Sequence, residues 1–175
     1  MTLIEKVKVF VQTYYEGKDL MHNFSHIVRV LKLAEKIAKN CQVDTELLII
    51  GAYFHGVIHL DEEKVVNFLQ SNKVDEKRIK KIVQIAWDSQ KNSTSDLIEG
   101  KLLHDAHLLE GGKTYLIVKS FVTGTARGQS LSETIKYMED NVLGKFKCLL
   151  PESQNEYCEK EKFAEEFLKD LKENL

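Results

Sequence analysis

The chain has 175 residues, of which 43% are hydrophobic and 30% are charged. This length and composition predict one domain over residues 1–175, burying roughly 70% of the surface of the unfolded chain. The 25 basic and 27 acidic residues leave a formal net charge of -2. That balance excludes a global field that would attract nucleic acid or an anionic bilayer, so such a partner would need a local patch.

The first segment and the cysteines indicate a cytoplasmic protein. Residues 1–12 have Glu5 and two lysines among their apolar positions, which fits neither a signal-peptide core nor a membrane span. The three cysteines form no C-x-x-C pair, as expected of reduced thiols. We therefore expect a reducing, cytoplasmic environment.

Apolar residues recur at helical spacing along almost the whole chain, which predicts an all-α domain of about eight helices. The single proline is Pro151, and no Gly/Ser-rich linker divides the sequence. The predicted helix starts are three aspartate N-caps and two Ser-x-x-Glu capping boxes: Asp44, Asp61, Asp75, Ser130–Glu133 and Ser153–Glu156.

The segment 47–54, LLIIGAYF, is apolar without interruption and could be a buried strand or a buried helix. No second strand candidate could pair with it, so we predict a central helix from about Asp44 to Phe54. His55 then lies near the end of that helix, in the core. A last helix is predicted over about 152–175, with an apolar stripe formed by Phe163, Phe167, Leu168 and Leu171.

Polar side chains interrupt three otherwise apolar segments. His22 and His26 stand four residues apart at the predicted start of the second helix, and His55 closes the central helix. His104, Asp105 and His107 interrupt a third segment. Two histidines and a carboxylate from different helices suit Mn, Fe, Co, Ni or Zn. A single histidine on an apolar face is more often a core residue with satisfied hydrogen bonds.

The order and wording of these motifs resemble the HD superfamily of metal-dependent phosphohydrolases, above all its small stand-alone prokaryotic members. The matching stretches are HNFSHIVRVLKLAEKIA, DTELLIIGAYFHG, EGKLLHDAHLL and GTARGQSLSETIKYMEDNV, within about residues 20–145. The resemblance implies a single-domain helical bundle of the HD type. It also implies hydrolysis of nucleotides or small phosphomonoesters, with a divalent metal ion (Mn, Fe, Co, Ni, Zn or Mg).

By the same resemblance, His26, His55 and Asp105 are the metal ligands. Gly56 stands where the family has the aspartate of its His-Asp doublet. His59, four residues after His55, is a candidate substitute ligand, and Asp88 or His104 could also fill in. The loss of a carboxylate predicts weaker metal binding.

Two further family patterns are changed. The family commonly reads His-Asp at His22-Asn23, and Asp-Ala-Asp-Arg where this chain has Asp105-Ala106-His107-Leu108. His22 and Arg29 are candidate catalytic residues. Arg29 could contact a substrate phosphate or pair with a buried carboxylate such as Asp105.

Three hypotheses for function follow. The first is a metal-dependent phosphohydrolase, and the second is a catalytically degenerate HD-fold module that binds a ligand or a partner. The third is a helical protein whose histidines only satisfy one another. A small phosphorylated molecule is the expected ligand, and the sequence leaves the oligomeric state open.

Two other classes of partner are not expected. The basic cluster at 73–81 shares its helix with Asp75 and Glu76 and lacks interleaved aromatic residues, so we predict no nucleic-acid binding. The last helix alternates glutamate and lysine around a narrow apolar stripe, which favours packing on the bundle over membrane binding. The segment GGKT at 111–114 lacks the first glycine of a P-loop.

Overall fold

The computed structural model describes residues 1–90 and 92–175, with the backbone alone at residue 40. Within these residues the protein has nine α-helices and two short 3₁₀ turns, so the all-α prediction is confirmed. The 3₁₀ turns, Thr13–Tyr15 and Ala38–Asn40, extend α1 and α2. The α-helices are α1 Leu3–Gln12, α2 Phe24–Ile37, α3 Thr45–Phe54, α4 Glu62–Ser71, α5 Glu76–Asp88, α6 Ile98–Leu109, α7 Gly112–Ala126, α8 Leu131–Asn141 and α9 Pro151–Glu173.

Four of the nine described α-helices begin at predicted caps. Asp44, Asp61 and Asp75 each accept a hydrogen bond from the backbone N–H three residues further on. Ser130 and Glu133 form the predicted capping box at the start of α8. These local signals therefore fix where α3, α4, α5 and α8 start.

Helix α3 is the central helix, as predicted, and it packs against α1, α2, α5 and α6. A Cβ at Gly51 would overlap with the Ile85 side chain, so the glycine allows α3 and α5 to pack closely. The helix ends at Phe54, and residues 55–60 form turns. His55 therefore lies at the C-terminal end of α3, and the turns that follow it still bury Val57 and Ile58 in the core.

Helix α9 was predicted almost in full, but its start and its buried face differ. Pro151 takes the first helical position, so Ser153 lies inside the first turn and the predicted capping box there is wrong. Leu168 of the predicted stripe is buried, whereas Phe163 and Phe167 are 37% and 39% exposed. The buried face also includes Lys160, which is only 3% exposed.

The main hydrophobic cluster is formed by α1 to α6, and two smaller clusters lie where α9 packs on α6, α7 and α8. None of the described helices is long and apolar enough to cross a bilayer. The three cysteines are free thiols. The C-terminal end of α3, the first turn of α2 and the second half of α6 meet at one edge of the main cluster.

Candidate metal centre

Three histidines from three helices meet at this edge. Asn23 caps α2 by accepting a hydrogen bond from the backbone N–H of Ser25, which places His26 in the first turn of the helix. His55 is the C-cap residue of α3, and His107 lies near the end of α6. His26 is 4% exposed and His55 is 5% exposed.

The three imidazoles are close enough to share one ion. One nitrogen from each of His26, His55 and His107 lies within 4.8 Å of the others. Their ring centroids are 4.4 to 5.7 Å apart. Histidine nitrogens bind Zn²⁺ at about 2.0–2.1 Å, so the ligands of one tetrahedral ion are about 3.4 Å apart. Small side-chain rotations would therefore bring the three nitrogens to a shared ion.

Ser89, at the end of α5, fixes the tautomers of two of these histidines. Its hydroxyl donates to the backbone carbonyl of Ala86 at 2.5 Å, so it accepts from Nδ1 of His55 at 2.6 Å. Nδ1 of His107 faces the carbonyl oxygen of Ser89 at 3.2 Å, and a carbonyl can only accept. Both rings therefore carry their proton on Nδ1 and their lone pair on Nε2, as in many histidine metal ligands.

Glu110 has the same role for His26. This carboxylate is 1% exposed and accepts hydrogen bonds from Nδ1 of His26 at 2.9 Å, Nε of Arg29 at 2.8 Å and Nζ of Lys119 at 3.0 Å. Burial by itself would raise the pKa of Glu110, but the His26 hydrogen bond and the Lys119 charge lower it to about 2. Glu110 is thus a buried anion that orients His26. Of the two roles predicted for Arg29, pairing with a buried carboxylate is found, with Glu110 in the place expected for Asp105.

Burial keeps His26 and His55 neutral. It lowers the pKa of His26 by more than the hydrogen bond to Glu110 raises it, and the Lys119 charge lowers this pKa further. Burial also lowers the pKa of His55 well below its ordinary value. A neutral imidazole with its lone pair on one ring nitrogen is the form that binds a metal.

A cleft of about 580 Å³ opens over the three histidines. Its lining includes the cations Lys18, Lys119 and Arg127 and the carboxylate Asp19. Arg29, which is not part of this lining, donates a hydrogen bond to the Tyr115 hydroxyl. The excess of positive charge and the size of the cleft suit a small anionic ligand.

The remaining candidates from the sequence lie around this centre, not within the histidine group. His22 lines the cleft, and its Nδ1 is held by Asp19 at 2.8 Å. His59 is exposed and also lines the cleft. Asp88 accepts from Ser95.

Three solved structures superpose on almost the whole chain. Bacillus subtilis YpgQ in complex with ADP has a TM-score of 0.75 at 21% identity, with 98% of this chain and 97% of that chain covered. An HD-superfamily hydrolase from Bacillus thuringiensis has a TM-score of 0.74 at 22% identity, with coverages of 98% and 95%. A protein from Lactobacillus plantarum has a TM-score of 0.80 at 16% identity, with coverages of 99% and 98%. No family model and no curated protein matches the sequence.

The chain has the HD-superfamily fold. The resemblance seen in the sequence is thereby confirmed for the fold, over more of the chain than the motifs cover.

Asp105, the third ligand implied by the HD resemblance, points away from the histidine group. It accepts from the backbone N–H of Leu149 at 2.7 Å and of Leu150 at 2.9 Å. Nδ1 of His104 lies 3.0 Å from the same carboxylate. Successive helical residues are rotated by about 100°, so residues 105 and 107 project in nearly opposite directions. The structure brings His26 and His55 together with His107, while Asp105 joins α6 to the start of α9.

Gly56, at the place of the missing HD aspartate, lies against Tyr15. The Gly56 N–H donates to the Tyr15 hydroxyl at 3.1 Å, and that hydroxyl faces the Tyr53 carbonyl at 3.4 Å. Lys18 donates to the Gly56 carbonyl at 3.1 Å. The space next to His55 is therefore filled by Tyr15, which lies in the 3₁₀ turn that extends α1.

The sequence reasoning missed His107, Glu110 and Ser89 as parts of the centre. His107 carried a signal, because it stands at the third position of the Asp-Ala-Asp-Arg pattern, where the HD family has a second acidic residue. Glu110 and Ser89 carried none, since an acidic residue after a helix and a serine at a helix end are common on protein surfaces. Only the fold shows that both are buried against imidazoles.

Proposed function

We propose that the chain is a divalent-metal-dependent phosphohydrolase that acts on nucleotides or other small phosphorylated molecules. The observation that supports this most strongly is the convergence of His26, His55 and His107 at the base of a cationic cleft. Their Nδ1 atoms all face acceptors, so each imidazole presents Nε2 as its ligand atom. Histidine metal ligands usually donate their other ring N–H to an acceptor in this way, which fixes the orientation of the ring.

The donor set fits a borderline transition metal. Three imidazole nitrogens suit Zn, Co, Ni or Fe and leave open positions, whereas Mg prefers oxygen ligands. A bound ion would supply Lewis-acid activation of water and stabilise negative charge on a phosphoryl group. The residues that would hold it are His26, His55 and His107.

The cations of the cleft would bind the phosphate. Arg127 makes no ion pair with any described residue, and it is exposed at the cleft. Lys119 also lines the cleft, and both Lys119 and Arg29 form ion pairs with Glu110. A planar guanidinium suits the paired oxygens of a phosphate. The ADP bound by YpgQ, which has the same fold, makes nucleotides the first substrate class to test.

His22 is the residue best suited to proton transfer in this cleft. Its Nδ1 is held by the Asp19 carboxylate, which fixes the tautomer with the lone pair on Nε2. Burial lowers the pKa of His22 more than the hydrogen bond to Asp19 raises it. The ring is therefore neutral near pH 7 and able to accept a proton from water.

One observation favours the second candidate function, a ligand-binding module without turnover. Within the described residues, the metal-competent group holds no carboxylate, and Tyr15 fills the space at Gly56. A site of this kind could bind a phosphate without cleaving it. The two functions differ only in turnover.

The test is a turnover assay of the metal-depleted protein. ADP and a panel of phosphomonoesters are tested after Zn, Co, Ni, Mn or Mg is added, and phosphate release is measured. We expect release with at least one transition metal and none with chelator. Binding of ADP without phosphate release under every condition would favour the module, and neither binding nor release would contradict both functions.

Arg127→Gln should weaken substrate binding without changing the metal site. Losing a hydrogen bond between an arginine and a phosphate costs about 1.5–3 kcal/mol, or roughly a 10- to 100-fold rise in KM. Lys101→Gln, which also removes one positive charge, is the control and should leave KM within about twofold, because Lys101 does not line the cleft. Equal KM values for Arg127→Gln and the unmodified protein would place the phosphate elsewhere.

A further inference from the structure

Tyr15 occupies the volume that a side chain at position 56 would need. A Cβ built on Gly56 would lie 2.5 Å from the Tyr15 hydroxyl oxygen and 2.9 and 3.0 Å from two carbons of its ring. Real Cβ atoms do not approach other heavy atoms so closely. Tyr15 is 4% exposed and packs edge-on against Phe24, so it has little room to move.

The Tyr15 hydroxyl is already committed to hydrogen bonds. It accepts from the Gly56 N–H and faces the Tyr53 carbonyl as a donor. Burial raises the pKa of Tyr15 by more than the Gly56 hydrogen bond lowers it, so the side chain stays a neutral phenol. It therefore supplies no negative charge to the neighbouring centre.

We propose that Tyr15 is a specificity-determining residue that excludes a carboxylate from position 56 and so restricts the metal centre to neutral imidazole donors. This inference rests on the proposed function, because it assumes a metal at His26, His55 and His107. A centre with imidazoles alone selects Zn, Co or Ni, since Mn and Mg need carboxylate or other oxygen ligands. Compared with a centre that has the HD aspartate at position 56, this centre thus differs in which metals it prefers, and not only in how tightly it binds them.

The test is a double-mutant cycle with Gly56→Asp and Tyr15→Leu. Leucine lacks the hydroxyl and outer ring carbons that overlap with position 56 but keeps aliphatic packing. Affinities for Zn and for Mn are measured by calorimetry on chelator-treated protein. We expect the unmodified protein and both single variants to prefer Zn strongly. The double variant should gain at least roughly tenfold in Mn affinity, because a carboxylate then balances the cation.

A second readout does not depend on metal. Gly56→Ala adds only the Cβ, so it should lower the melting temperature by roughly 5 °C when Tyr15 is present. In the Tyr15→Leu background the same substitution should have a much smaller effect. Tyr15→Phe is the matched control: it keeps the two ring carbons near position 56, so it should not relieve the effect of Gly56→Ala.

The outcomes separate this inference from the proposed function. If the unmodified protein binds no metal, the proposed function fails, and the inference stands only if the double variant binds Mn. If Gly56→Asp alone gains as much Mn affinity as the double variant, Tyr15 excludes nothing and the inference is overturned. It is overturned equally if a folded double variant gains no Mn affinity, or if Gly56→Ala is as destabilising in the Tyr15→Leu background as in the unmodified protein.

Discussion

Glu110 is the residue whose role in the centre is least visible in the sequence. Its buried carboxylate lies between one imidazole and two cations, and among the described contacts it is the acceptor for Nδ1 of His26. Because the histidine group itself has no carboxylate, Glu110 is the nearest source of negative charge that the described contacts connect to it. It should therefore strengthen metal binding through His26.

Glu110→Gln keeps the shape of this side chain and removes its charge. We expect metal affinity to fall by roughly 10- to 100-fold, the range found when an outer partner of a ligand is removed. Isothermal titration with Zn or Co measures this directly. Glu159→Gln, which breaks an exposed ion pair with Lys113, is the control and should leave affinity unchanged. Equal affinities in the two variants would show that Glu110 is only structural.

The buried histidines also make stability depend on pH. Burial lowers the folded-state pKa of His26 and His55 below the unfolded value of about 6.5. Protonation then favours the unfolded chain, so the contribution of these two histidines to the free energy of unfolding is constant above about pH 7.5 and falls below about pH 6.5. The slope is at most about 1.4 kcal/mol per pH unit for each group.

Urea unfolding of the metal-free protein between about pH 5 and pH 8 measures this dependence. In His55→Asn the amide can still donate to Ser89, but the titrating ring is gone, so the fall should be shallower. Identical slopes for the variant and the unmodified protein would contradict the buried, neutral state of His55.

At the scale of the helices, two opposite faces of α6 have different roles. Its His107 side faces the cleft, and its Asp105 side holds the backbone that leads into α9 through Leu149 and Leu150. Lys160 of α9 in turn donates to the backbone carbonyls of Leu108 and Glu110. These contacts fix the end of α6, and with it the position of His107.

Asp105→Asn tests this division. Weakening the two hydrogen bonds that Leu149 and Leu150 donate to a charged acceptor should cost about 3 kcal/mol of unfolding free energy, measured with urea. Metal affinity per folded chain should stay within about threefold, since Asp105 is not part of the histidine group. Loss of metal without loss of stability would instead support the ligand role that the HD resemblance implied.

Prediction from sequence succeeded for helices whose signals are local. The caps at Asp44, Asp61 and Asp75 and the uninterrupted apolar run before His55 set the starts of three helices and the centrality of α3. The buried face of α9 could not be predicted in the same way. Lys160 is buried because two carbonyls at the end of α6 accept its hydrogen bonds, and no pattern within α9 shows that.

For the molecule as a whole, the fold was predictable but the composition of the site was only partly so. The resemblance to the HD superfamily implied His26 and His55, and these two side chains do lie together. The choice between Asp105 and His107 depends on the rotation of α6 about its axis, which the neighbouring helices determine. Tyr15 reaches Gly56 across 41 residues of sequence, and such a contact leaves no local signal.

The most direct test of the centre is the metal content of the purified protein beside that of His107→Ala. Elemental analysis is done on both after incubation with Zn or Co and removal of loosely bound ions, with circular dichroism to confirm that both are folded. The three-histidine centre predicts one tightly bound ion per chain in the unmodified protein and a near-complete loss in His107→Ala. Equal metal content in the two proteins would contradict it.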